Sequence, residues 1–196
     1  MKKVITIFNN QVMLYNKISP NFNVCSGLFK IVLAIISKSI LLFIYSFYNI
    51  GIGIAKKVSL REKQKHIHEN YYIVGIIVLI TSISYIIYSK YIFLNGSNAK
   101  YHMFVAIGIA TLAFTNITIT IIQIIRARKN KNIQDEIVKL INLSSAFISL
   151  SLTQTAILSF AFEGDSSKYY GIGGMFFGFL AALIGIYMIS HKHKKL

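Results

Sequence analysis

Long apolar runs separated by short polar ones dominate this chain. Residues 31–55, 72–94, 101–125, 138–162 and 170–190 are each long enough to cross a bilayer. A spanning helix takes about 20 mostly apolar residues, because the hydrocarbon layer is about 30 Å thick and a helix rises about 1.5 Å per residue. A β-barrel would instead show short segments of alternating polarity. The pattern therefore predicts an all-α, polytopic transmembrane helix bundle of about five spans over residues 31–190. A tail, residues 1–30, precedes it and a basic tail, residues 191–196, follows. The first run has a second reading. Val4, Phe8, Val12 and Tyr15 recur at helical spacing, which predicts an amphipathic helix lying on the membrane surface. Residues 27–55 would then form a re-entrant or interfacial hairpin, leaving four spans.

Composition fits this class. Only 14% of the 196 residues are charged and the mean hydropathy is +0.59. The net charge of +15 lies mainly in loops. Lys56, Lys57, Arg61, Lys63 and Lys65 follow the first run, Arg126, Arg128, Lys129, Lys131 and Lys139 lie between the third and fourth, and Lys192, Lys194 and Lys195 follow the last. The alternate loops carry Lys100 and Lys168, with Lys90 nearby. By the positive-inside rule, the rich segments predict a multi-pass protein of the cell membrane with a cytoplasmic C-terminus. Five spans then put the N-terminus outside, although Lys2, Lys3, Lys17 and Lys30 oppose that. Clustered loop lysines point to anionic lipid head groups as partners. No basic patch interleaved with aromatics is present, so nucleic acid is not an expected partner.

The single cysteine, Cys25, excludes an intrachain disulfide. Residues 1–10 imitate a signal peptide, but their apolar run is too short. Lysine far outnumbers arginine (Arg61, Arg126 and Arg128), and isoleucine and asparagine are abundant, a bias expected of an AT-rich bacterial genome. Residues 95–101 and 163–169 resemble each other ahead of the third and fifth runs. They suggest tandem hairpins related by an axis along the membrane normal, as in some transporters.

Within the spans, small and uncharged polar residues carry most of the information. Gly174, Gly178 and Ala182, with Gly171 and Gly185, form a ridge that lets another backbone approach closely, within the chain or in a homodimer. The third run presents Thr111, Thr115, Thr118, Asn116, Thr120 and Gln123, the last three sharing one face. The fourth presents Asn142, Ser145, Ser149 and Thr153 as a stripe, with Gln154 beside it. Amides facing lipid are costly, so both stripes should face protein or water. They predict either interhelical hydrogen bonds or a polar cavity for an uncharged or anionic solute. Lys38 is the ionisable residue set deep in a run, with Ser46 and Asn49 following on one face. It would snorkel to the surface or contact an anion.

No aspartate or glutamate falls within a run, which argues against carboxylate-driven proton coupling and intramembrane aspartyl catalysis. No intramembrane Ser–His dyad or metal-ligand pair is present, and the pairs His66–His68 and His191–His193 lie in basic loops. The expectation is a non-enzymatic protein without cofactor or metal. It reads first as a small transport component or permease-like subunit with a polar cavity between spans 3 and 4. The alternative is a non-catalytic accessory, regulatory or immunity-type protein that binds another membrane protein.

Overall fold

The computed structural model describes residues 18–21, 23–28, 31–32, 34–35, 40–60, 67–96, 133–162 and 164–191, with positions 107, 110, 111, 114, 115, 117, 118, 120–122, 124 and 125. Almost all of these are helical, and no strand occurs among the described residues. The long helices are α1 (Ile40–Ser59), α2 (Ile67–Asn95), α3 (Ile133–Ala161) and α4 (Ser167–Ser190). Glu69–Asn95, Asp135–Ser159 and Ser167–Ser190 are the three stretches long and apolar enough to cross a membrane among the described residues. A helical membrane protein is therefore the class, and the expected count of about five is not reached within the described residues. The described positions of 101–125 are helical but scattered. Of the first run, residues 40–55 lie in α1, which continues to Ser59 and takes in Lys56 and Lys57.

Helix ends follow local chemistry. Lys56 and Lys57 lie in the last turn of α1, while Glu69 opens α2 and Asp135 and Glu136 open α3. Each charge complements the helix dipole. Asn132, which stands at capping-box spacing ahead of Asp135, lies outside the described residues. Gly96 ends α2 at φ 80°, a left-handed position that disfavours any side chain, and its N–H bonds the Ile92 carbonyl at 2.9 Å. Asp165 accepts the Ser167 backbone N–H at 2.9 Å and so caps the start of α4.

Side-chain pairs establish the directions. Tyr48 meets Tyr85 edge to face with ring centroids 6.3 Å apart, and Gly51 faces Thr81, so α1 and α2 are antiparallel. Gly75 faces Met188 and Gly171 faces Phe93, so α2 and α4 are antiparallel. Tyr71 pairs with Glu136 and Tyr85 with Ser151, so α2 and α3 are parallel. Consequently the end of α1, the starts of α2 and α3, and the end of α4 gather at one face of the bundle. Gly96 and Ser167 meet at the other. Upstream, Gly27 lies against Ser46 and Ile50, and Val24 and Pro20 lie against Gly53. Residues 18–28 therefore run antiparallel to α1.

The most extensive interface among these helices joins α2 and α4. Its residues on α2 include Gly75, Leu79, Ile86, Ser89 and Phe93, at steps of four, seven, three and four. Large Leu79, Ile86 and Phe93 seat on Gly185, Gly178 and Gly171, themselves seven apart. Small Gly75 and Ser89 sit opposite Met188 and Gly174. A seven-residue repeat keeps one seam facing the partner along the whole pair. The predicted ridge is thus an intrachain seam. By its three–four spacing, fully buried Ala181 rather than Ala182 continues it, although Ala182 is buried too. Opposite the seam, Ile172, Phe176, Phe179, Leu183 and Ile186 are exposed, as residues facing lipid would be. A Cβ built at Gly185 falls 2.8 Å from the Leu79 backbone nitrogen, which cannot rotate away. We expect Gly185→Ala to destabilise the bundle by about 1–3 kcal/mol, the range for overpacking. Leu183→Ala on the outer face should stay within about 0.5 kcal/mol. Unfolding in mixed detergent compares them, and equal tolerance would contradict the seam.

Candidate functional site

α3 is the most enclosed of the three membrane-length helices. Two-thirds of its membrane-length window (67%) is buried, against 39% for α2 and 44% for α4. Yet it is the most polar of the three, so its buried hydroxyls need partners. Tyrosines from the neighbouring helices supply them. The Tyr48 hydroxyl and Ser144 Oγ are 2.7 Å apart, and the Tyr85 hydroxyl donates to Ser151 Oγ at 2.9 Å. Tyr45 is hydrogen-bonded to Ser149 and Asn49. The Asn49 amide also donates to the Tyr45 carbonyl at 3.1 Å. The Thr120 hydroxyl donates to the Asn142 backbone carbonyl at 3.2 Å, tying Thr120 to α3. Thr153 and Thr155 turn onto the carbonyls of Ser149 and Ser151 one turn back. The result is a ladder of neutral hydroxyls and amides climbing α3, with tyrosine rings completing the apolar core around it.

Of the residues singled out from sequence, this ladder gathers Asn49, Thr120, Asn142 and Ser149. Gln154 stands higher on α3, half-buried, and its amide donates to the Tyr169 carbonyl at 3.3 Å while its side chain fills the space over Gly173. Lys38, Asn116 and Gln123 lie outside the described residues. The predicted stripe needs one adjustment: fully buried Ser144 and Ser151 take interhelical bonds, whereas Ser145 is half-exposed. Thr111, Thr115 and Thr118 are exposed and close onto their own backbone four residues back. Their hydroxyls are therefore satisfied without facing a cavity.

Tyr45, Tyr48 and Tyr85 were not among the sequence-derived candidates. A signal existed. Tyrosine favours the membrane interface, and Tyr48 and Tyr85 stand well inside their helices. A tyrosine inside an apolar helix needs a buried partner for its hydroxyl.

Outside the three membrane-length stretches, Asp165 and Lys56 are perturbed. Side-chain and backbone hydrogen bonds from Ser167 hold the exposed Asp165 carboxylate below the ordinary range. Burial lowers the Lys56 amine to about 7. Among the described residues no group of three His, Cys, Asp or Glu side chains is placed to hold a metal ion. The ladder can accept and donate hydrogen bonds to a neutral or anionic guest. Compared with family models, curated proteins and solved structures, the chain matches none.

The Tyr48–Ser144 pair is separable by experiment. In a double-mutant cycle with Tyr48→Phe and Ser144→Ala, we expect a coupling of about 0.6 kcal/mol, with about 1.7 as the upper bound for such pairs in membranes. A coupling of zero would mean that the two hydroxyls do not bond in the bilayer.

Proposed function

We propose that this protein is a small transport component or permease-like subunit, not an enzyme, whose neutral polar interior passes an uncharged or anionic solute. The observation that supports it is the ladder of hydroxyls buried along α3. Each rung is a weak bond between uncharged groups. A solute carrying hydroxyl or carbonyl groups can replace such a bond with one of similar strength. The conducting surface would lie between α3 and the 101–125 run, where Asn116, Thr120 and Gln123 would face Asn142, Ser149 and Gln154, with Lys38 and Asn49 as a further polar contact. Energy would come from a gradient or from a partner protein.

The same reading takes the full count of five spans, a cell-membrane location and a cytoplasmic C-terminus. Parallel α2 and α3 support a span between them, since a chain leaving one end of α2 must return across the bundle before α3 begins. The end carrying Lys56, Lys57 and Lys139 would face the cytoplasm and its anionic lipids.

A second reading, an accessory, regulatory or immunity-type protein that binds another membrane protein, rests on the exposed aromatic stripe of α4. The glycine ridge lends it no support, because α2 fills it. Osmotic response of proteoliposomes to glycerol, urea and chloride separates the two. A transport component responds to at least one, and Gln154→Leu and Asn142→Leu slow that flux about tenfold, equivalent to about 1.4 kcal/mol in the barrier. Should none of the solutes enter faster than in empty vesicles, while Phe176→Ala abolishes recovery of a partner, the second reading stands instead.

A further inference from the structure

We propose that Lys56 and Ser19 form a proton-operated latch that holds the N-terminal helical stretch, residues 18–28, against α1. The two pieces lie almost backbone to backbone. A Cβ built at Gly53 falls 3.0 Å from the Pro20 carbonyl oxygen and 3.1 Å from the Val24 nitrogen. One built at Gly27 falls 3.1 Å from the Ser46 carbonyl oxygen and 3.3 Å from the Ile50 nitrogen. One glycine from each side therefore permits the approach. At the end of the pair, the Lys56 side-chain nitrogen donates to Ser19 Oγ at 2.8 Å. Both residues are buried, Lys56 at 5% exposure and Ser19 at 3%.

A buried amine bonded to a neutral hydroxyl is stable when uncharged. Its charged form needs water or a counter-charge. Among the described residues, the titratable groups at this end of the bundle are Cys25 on the docked stretch, Lys57 on α1, Glu69, Tyr71 and Tyr72 on α2, Asp135, Glu136 and Lys139 at the start of α3, and Tyr187 and His191 at the end of α4. Burial, and no charge among these described groups, sets the position of the amine. Docking thus competes with protonation.

The sign follows from linkage. The docked amine titrates at about 7 and the released one at the ordinary lysine value of 10.5. Between these, the released form binds more protons, so docking weakens as the pH falls from 10.5 to about 7. Below that, both forms are charged and the balance is flat. Within the window, each pH unit shifts the ratio of docked to released stretch by up to about tenfold.

The chain supplies its own reporter. Cys25 is its one cysteine, lies on the docked stretch and is exposed. A nitroxide attached there, on the full chain in lipid vesicles, reads mobility by its electron paramagnetic resonance spectrum. We expect an immobile spectrum at high pH, a mobile component that grows as pH falls toward 7, and no further change below. Lys56→Met should remove the pH response and keep the label immobile. Gly53→Leu, which blocks the approach sterically, should give the mobile spectrum at every pH. The proposal is overturned by a wild-type spectrum that does not change with pH, by a response that survives Lys56→Met, or by a Gly53→Leu spectrum identical to the wild type at high pH.

Discussion

Close backbone contact between α2 and α4 is the constraint on which the rest of the bundle depends. In lipid there is no hydrophobic force between helices, because the surrounding chains are as apolar as leucine. What remains is dispersion across surfaces that fit, and it grows as backbones approach. Gly171, Gly178 and Gly185 accept Phe93, Ile86 and Leu79, and Gly75 and Ser89 return the arrangement from the other side. Once these two helices are locked antiparallel, the short 162–166 connection brings α3 alongside α4. The parallel run of α2 and α3, and the gathering of basic ends at one face, follow from that lock.

α3 solves a different problem. It is the most enclosed helix and the richest in hydroxyls, a combination that would be costly if those groups were unpaired. Thr153 and Thr155 close onto their own backbone, whereas Ser144, Ser149 and Ser151 take tyrosine hydroxyls from α1 and α2. Each tyrosine contributes a ring to the core and a hydroxyl to a rung, so the same residue packs and sets register. Shifting α1 along α3 by one residue would break Tyr48–Ser144 and Tyr45–Ser149 together.

The N-terminal pairing rests on the same small-residue logic at smaller scale. Gly27 and Gly53 allow residues 18–28 to lie on α1, and a lysine closes the end where a hydroxyl or alkyl group would ordinarily sit. It is the one polar contact described here in which a charge-bearing side chain is enclosed, and so the one whose strength depends on pH.

Helical class, membrane-scale lengths and the glycine face of the last helix were legible in the sequence, because length, hydropathy and the spacing of small residues are local properties. So was the polar character of α3. The partners were not. That the glycines meet α2 rather than a second copy, that Ser144 and Ser151 rather than Ser145 take interhelical bonds, and that Tyr45, Tyr48 and Tyr85 complete them are facts of orientation between distant segments. So is the burial of Lys56, whose sequence context reads as an ordinary loop lysine. A hydroxyl or amine carries no mark in the sequence of which neighbour it will meet. That choice was left to the tertiary structure, where rigid helices bring buried polar groups onto one another only in a few mutual rotations.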